Sequence, residues 1–228
     1  VTAMITPRYY FEEDFREYEH MLKEIKHTRE LHRKGDIICG VDSSFNKIYY
    51  ILKGSLRLSV LHGSGHEKII SFYGSGTIQP LYYPLEFQLE KSLVYTCMND
   101  VEVLVFSKAD IGRLAKENNA FNTSLLEGMV KLVNLLICDM SSSLYDNGLI
   151  KICNFLYSYY IAGNRKCSVI ELRQDELASV AGMNRINTAK YLKELRERKI
   201  IKTERNRMII LNADMLFELC SDEFVEVD

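Results

Sequence analysis

Gln174-Asp175-Glu176-Leu177-Ala178-Ser179-Val180-Ala181-Gly182-Met183-Asn184-Arg185-Ile186-Asn187-Thr188-Ala189-Lys190-Tyr191-Leu192-Lys193-Glu194-Leu195 holds two helical patterns separated by a few residues around a glycine. Leu177, Val180 and Ala181 fall at i, i+3, i+4, one face of a first helix. Gly182 allows a backbone conformation that a side chain would resist, so the chain can turn sharply there. Asn184 suits the N-cap of a second helix, because its side chain can accept from an amide left unpaired in the first turn. Thr188, Tyr191, Leu192 and Leu195 form that helix's inward stripe, while Arg185, Asn187, Lys190, Lys193 and Arg196 point elsewhere. An apolar back and a basic, hydrogen-bonding front are what a helix-turn-helix needs to lay its second helix in a DNA major groove. The alternative is an ordinary helical hairpin with a solvated charged face.

Two neighbouring features favour DNA. Residues Asn184 to Arg207 hold nine Lys/Arg against three Glu, a net of +6, in a chain whose formal charge is −2. Basic charge gathered on one element is the footprint of phosphate contact, because each neutralised phosphate releases condensed counterions. Ile200-Ile201-Lys202-Thr203 and Met208-Ile209-Ile210-Leu211 are strand-like runs joined by Glu204-Arg205-Asn206-Arg207. They read as a β-hairpin wing with Arg205 and Arg207 near its tip.

The 228 residues suit one large domain or two small ones, and an apolar share of 47% is enough for a sizeable core. Reading along the chain, we find no apolar run of bilayer-crossing length and no signal-peptide pattern in Val1 to Tyr10, so the expectation is a cytoplasmic protein without a membrane partner. The six cysteines (39, 97, 138, 153, 167 and 220) include no C-x-x-C pair and are expected to be free, mostly buried thiols.

The N-terminal part is punctuated by glycines, three of which (Gly54, Gly65 and Gly76) are spaced by 11. Between them lie short runs at Ile48–Leu52, Leu56–Leu61 and Lys68–Tyr73, with another at Val101–Phe106, a pattern of short strands that suggests an antiparallel roll. A loosely amphipathic pattern over Tyr10–Leu31 predicts a helix before it. From Lys108 the character becomes helical. Ser107 can cap a short helix, and Asn118 or Asn119 can start a long one. In that helix Leu125, Met129, Leu132, Val133, Leu136, Ile137, Met140 and Leu144 recur at three- and four-residue steps. So long a stripe predicts pairing with a second copy, with a buried core helix as the alternative. Asp146-Asn147-Gly148 breaks the pattern and is the expected hinge. The fold expected is therefore α+β: a β-roll sensor over 1–117, a long dimerisation helix over 118–145 and a winged helix-turn-helix over 146–228.

In this order and spacing the chain resembles the CRP/FNR family of bacterial transcription regulators. The resemblance rests on Lys34-Gly35-Asp36-Ile37-Ile38 and Tyr49-Tyr50-Ile51-Leu52-Lys53-Gly54-Ser55-Leu56-Arg57-Leu58 at one end. At the other it rests on Leu177-Ala178, Gly182, Arg185-Ile186-Asn187-Thr188-Ala189-Lys190, Leu192, Leu195 and Lys199-Ile200-Ile201. It implies a homodimer, double-stranded DNA with a near-palindromic operator, RNA polymerase as a further partner, and no catalytic site. Arg185 falls where the family places an arginine that can donate bidentately to guanine O6 and N7. Asn187 falls on a small polar position that often touches phosphate, and Lys190 replaces a DNA-contacting arginine. The family's usual glutamate is Ile186 here, which offers only apolar contact, for instance to a thymine methyl.

The sensor end departs further from the family. Cyclic-nucleotide-binding members carry a Gly-Glu followed by an Arg-Ser or Arg-Thr. Here Gln79 lies near the glutamate position, and no arginine occurs between Arg57 and Arg113, so a cyclic phosphate would lack its guanidinium clamp. An iron–sulfur centre is not expected either, because the first cysteine is Cys39. His62 and His66 read as surface residues, and no metal or cofactor is expected. Tyr82, Tyr83, Phe87 and Tyr95, with Met129 and Leu132 from the long helix, are the candidate pocket for an unidentified small hydrophobic or phenolic effector. Lys131 or Lys91 could add a cation for an acidic one. The alternative is that these residues pack the roll against the helix. Two other classes stay open at this point: a metal-dependent or cupin-like barrel enzyme, and a sensor or interaction protein with a vestigial winged helix.

Overall fold

Residues 7–40, 46–82, 92–162 and 168–221 are described by the computed structural model. They pack as two units, one of residues 10–132 and one of residues 1–9 with 133–228. Tyr83, Phe87, Lys91 and Cys167 lie outside the described residues.

The first unit is the expected roll. Its strands are β1 (Tyr10–Phe11), β2 (Thr28–His32), β3 (Ile37–Cys39), β4 (Lys47–Lys53), β5 (Leu56–Leu61), β6 (Glu67–Tyr73), β7 (Ile78–Gln79), β8 (Leu93–Cys97) and β9 (Val101–Ser107). They form two sheets, ordered β1-β6-β5-β8-β3 and β2-β9-β4-β7. All pairings are antiparallel except that of β1 with β6. The 11-residue glycine spacing is a turn spacing: Gly54, Gly65 and Gly76 all sit at positive φ between strands. Ile48, Tyr50, Ile78 and Phe106 bury their side chains in a core completed by Phe15, Leu22, Ile111, Phe121 and Leu125.

The expected helix over Tyr10–Leu31 is corrected. Only Glu19–Glu24 is α-helical (α1), after a 3-10 turn at Arg16–Tyr18. Thr28 to His32 instead pair residue for residue with β9, and ladder hydrogen bonds to that buried strand outweigh a weak amphipathic pattern.

Ser107 caps α2 (Lys108–Glu117) by accepting from the Asp110 amide. The Asn118 side chain caps α3 (Asn119–Tyr145), accepting from the Phe121 amide at 3.0 Å. The apolar stripe foreseen on this helix is two stripes. Leu125 is buried in the roll's core and Met129 packs against it, whereas Leu126, Val130, Val133, Ile137, Met140 and Leu144 are each at least 49% exposed. An 18-residue window of α3 has a mean hydropathy of 1.3, so by length and composition the helix could cross a bilayer. The reading that no run was long enough is corrected on that measure. Yet these exposed apolar residues form one seam, with Glu127, Lys131, Asn134 and Asp139 on other faces.

In the second unit α4 (Gly148–Ala162) buries Ile152, Cys153, Phe155 and Leu156. Around it lie β10 (Val169–Ile170), α5 (Gln174–Ala181), α6 (Arg185–Glu197), β11 (Ile201–Glu204), β12 (Arg207–Ile210) and α7 (Ala213–Phe217). The strands form one sheet, ordered β10-β12-β11. The α3–α4 corner is closely bonded. Asp146 Oδ2 accepts from Ser142 Oγ at 2.6 Å and from Asn154 Nδ2 at 3.1 Å, and Asn147 Oδ1 accepts from the amides of Leu149 and Ile150. Nearby, the buried Tyr9 donates its hydroxyl to Asp139 at 3.1 Å and packs its ring edge-on against Phe155.

Candidate nucleic-acid interface

The two helices of the motif are held by the residues that the pattern singled out. Leu177, Val180 and Ala181 on α5 are buried, as are Thr188, Leu192 and Leu195 on α6. Gly182 ends α5 in the left-handed region at φ 63°, a conformation that costs a residue with a Cβ about 1–2 kcal/mol. Asn184 caps α6, its side chain accepting from the Asn187 amide at 2.8 Å. Tyr191, the fourth inward residue, is half-buried for a reason no local pattern carries. A Cβ on Gly148, at the start of α4, would lie 2.5 Å from Tyr191 Cε2. Gly148 is thus a point of close approach that lets α6 seat on α4.

The front of α6 is open. Arg185, Ile186, Asn187, Lys190 and Lys193 are all exposed, and Ile186 is 82% so. An isoleucine standing in water from a firmly anchored helix has a large apolar area to bury against a partner. The basic residues are not equivalent. Lys193 pairs with Glu197 at 3.7 Å and Arg198 with Glu194 at 2.6 Å, both one turn apart. Among the described residues Arg185 has no ion pair, and Lys190 lies 5.9 Å above the Tyr191 ring.

The wing is the expected hairpin, with Glu204 opposite Arg207, so its tip is Arg205-Asn206 alone. Asn206 takes φ 60°, which asparagine tolerates better than most residues with a side chain. Lys202 at 2.8 Å and Arg207 both pair with Glu204, and their hydrogen bonds hold its carboxyl below the usual carboxylate range. This neutralises the one acid on the hairpin and leaves Arg205 unpaired among the described residues. The wing is tied to α6 by Arg196, which donates to Thr203 Oγ1 at 3.2 Å. Lys199, at φ 57°, turns the chain from α6 into β11 while the Ile200 amide donates to the Leu195 carbonyl. The strand β10, too short for the sequence to announce, completes the sheet by pairing with β12.

The candidate effector residues are distributed. Tyr82 and Met129 pack against the roll's core, and Tyr82 Oη lies 2.6 Å from where a Cβ on Gly112 would be. Tyr95 is buried and donates to Gln79 Oε1 at 3.2 Å. Gln79 and Leu132 line a small cavity with Phe11, Tyr73, Thr77 and Gly128. At about 10 Å³ that cavity holds no more than a water. Burial pushes the Tyr73 hydroxyl up to about 12, so it is a neutral donor or acceptor there. Asp14, also on the cavity wall, binds Lys131 at 2.7 Å. Sequence reasoning missed Phe11, Asp14, Tyr73 and Thr77, which the parallel β1–β6 pairing and the backbone hydrogen bonds of Glu13 to Ser75 and of Phe15 to Gly76 bring together. His62 and His66 sit exposed at the β5–β6 turn, their Nδ1 atoms 2.6 and 2.8 Å from Ser64 Oγ. Among the described residues no group of three or more His, Cys, Asp or Glu could hold a metal. Burial pushes the Cys97 thiol up to about 11 and that of Cys153 up to about 12.

Residues 150–219 match the family model of the Crp-like helix-turn-helix domain, and residues 29–118 that of the cyclic nucleotide-binding domain. Among solved structures, a CooA mutant from Carboxydothermus hydrogenoformans is similar at 18% identity, covering 89% of this chain and 90% of that one, with a TM-score of 0.72. FixK2 from Bradyrhizobium japonicum is similar at 16% identity, covering 86% and 98%, with a TM-score of 0.72. OCPA-complexed CprK is similar at 16% identity, covering 96% and 99%, with a TM-score of 0.68. At such identities the likeness shows the fold. No curated protein sequence matches the chain.

Proposed function

This chain belongs to the CRP/FNR family and is a DNA-binding transcription regulator of that type, and on that premise we propose that it works as a homodimer on a near-palindromic operator under the control of a small effector. The observation that carries the DNA reading is the anchored α6 with an unpaired Arg185 and an exposed Ile186 on its front. Arg185 reads a guanine by a bidentate hydrogen bond, Ile186 covers a thymine methyl, and Asn187, Lys190 and Lys193 hold phosphates. Arg205 and Arg207 extend the contact through the wing.

The dimer is supported by the exposed seam of α3. Its residues 126, 130, 133, 137, 140 and 144 alternate steps of four and three, the heptad spacing. Val130, Ile137 and Leu144 occupy one alternating position, and Leu126, Val133 and Met140 the other. An apolar residue at every one of these positions is what pairing with a second copy of the helix requires. RNA polymerase is the expected further partner and the cytoplasm the place of action.

The effector is small, hydrophobic or phenolic, and not a cyclic nucleotide, because no arginine between Arg57 and Arg113 is available for its phosphate. It acts by shifting a two-state equilibrium in the roll that α3 passes to the helix-turn-helix. Selection of bound duplexes from a random pool by the full-length protein tests the reading. The expected result is an inverted repeat with half-site centres about 10 base pairs apart. A pool that stays random would contradict it.

A further inference from the structure

The chain turns from α3 into α4 at Asp146–Asn147, and a residue far away in sequence spans both arms of that corner. Tyr9 is only 4% exposed. Its hydroxyl donates to Asp139 Oδ1 on α3 at 3.1 Å, and its ring packs edge-on against Phe155 on α4 with centroids 5.2 Å apart. At 1.5 Å per residue, each contact lies about 10 Å along its helix from the corner. A link placed away from an apex resists a change of angle better than one at the apex, because its lever arm is longer. The apex has bonds of its own: the buried Asn154 donates from Nδ2 to Asp146 Oδ2 at 3.1 Å and to Ser221 Oγ at 2.9 Å, and its Oδ1 accepts from the Ser221 amide. Burial, with Asp139 beside it, pushes the Tyr9 hydroxyl well above the usual phenol range, so it stays a donor. Seating Tyr9 also costs little backbone entropy, because the next residue, Tyr10, is already held in β1.

We propose that Tyr9 is a positioning residue for operator recognition: by bracing α4 against α3 it sets the separation of the two recognition helices, and with it the half-site spacing that the dimer accepts. The inference rests on the homodimer and DNA-binding readings above. α3 carries the seam through which the two copies pair, so it is the frame of the assembly. α6 moves with α4, because Tyr191 lies against Gly148 and Thr188, Leu192 and Leu195 are buried behind it. The angle between α3 and α4 therefore places each α6 relative to the twofold axis. Successive bases are about 3.4 Å apart along a strand, so a shift of about half that in each subunit changes the spacing by one base pair. Removing the Tyr9 hydroxyl cuts the link to α3 and leaves the ring on Phe155, whereas removing the whole side chain cuts both.

The test measures affinities of the full-length protein for its selected operator and for the same half-sites with one base pair inserted or removed between them. Wild type should bind the selected spacing at least about tenfold more tightly than either alternative, the size of a single base-pair preference. Tyr9→Ala should bring the three probes close to equal affinity, and Tyr9→Phe should fall between. Asp139→Ala should match Tyr9→Phe, with no further change when the two are combined. Asp139→Asn keeps an acceptor and should keep the wild-type discrimination. A Tyr9 that only stabilises the fold would lower the unfolding midpoint and leave the spacing ratios alone, and that outcome overturns the inference. If Tyr9→Ala does not fold, Tyr9→Phe and Asp139→Ala decide, and wild-type ratios in both overturn it. Each of those outcomes leaves a selected two-half operator, and with it the readings on which the inference rests. Selection of a lone half-site by wild type would instead contradict the homodimer, and selection of no site would contradict DNA recognition; either also overturns the inference.

Discussion

Arg185 and Lys193 share one helix, yet their replacement should have different consequences. Arg185→Ala should relax the preference at one base pair per half-site at a cost of roughly 1–3 kcal/mol, read from affinities for operator variants. Lys193→Ala should weaken all sequences alike and lower the salt slope by about one. Asn184→Ala removes the acceptor for the Asn187 amide and should lower stability by about 1 kcal/mol, seen as a shifted urea midpoint at unchanged slope. Gly182, Asn184 and the inward Thr188, Leu192 and Leu195 were legible because each belongs to a pattern within a few residues of sequence. The contact of Tyr191 with Gly148 was not legible, nor was the Phe11–Tyr73 wall of the roll cavity. Those pairs are distant in sequence, and only the packing of α6 on α4 and of β1 on β6 joins them.

At the scale of elements, α3 shows where a periodic pattern stops being informative. Leu125, Leu126, Met129 and Val130 are equally apolar, and spacing alone merges them into one wide stripe. Packing separates them, Leu125 into the roll and Leu126 and Val130 outward. Ile137→Asp places an unpaired charge in the proposed seam, which typically costs roughly 3–5 kcal/mol. Sedimentation should show the dimer dissociation constant raised at least about a hundredfold, with the far-ultraviolet circular dichroism unchanged. The missing N-terminal helix has a different cause: Thr28–His32 gain more as a strand on β9 than as helix turns. What remains of that helix carries a pH dependence. Hydrogen bonds from Lys23, Tyr50 and Arg16 hold the Glu19 carboxyl at about 2 against an ordinary 4.5. The depressed value means its contribution is present above 4.5 and is lost as pH falls toward 2. Unfolding midpoints should fall over that window, and Glu19→Gln should flatten the fall.

At the scale of the molecule, the succession of roll, long helix and winged motif was legible because glycine-turned strands, a long apolar stripe at helical steps and a basic hairpin are separate kinds of pattern. The effector pocket was less so. Tyr82, Tyr95, Met129 and Leu132 look alike in sequence, yet three are packed into the core or buried beside Gln79, and only Leu132 lines the cavity. The expected hinge at Asp146–Gly148 is a corner bonded through Ser142, Asn154 and the Asn147 cap. A switch acting there must break or keep those bonds as a set. The central claim is that α6 of each subunit reads one half of a symmetric operator through Arg185. A base-by-base substitution scan across the selected operator, with wild type and Arg185→Ala side by side, tests it most directly. The account predicts that the variant loses discrimination at one base pair in each half-site, placed symmetrically about the centre. Identical profiles for the two proteins would contradict it.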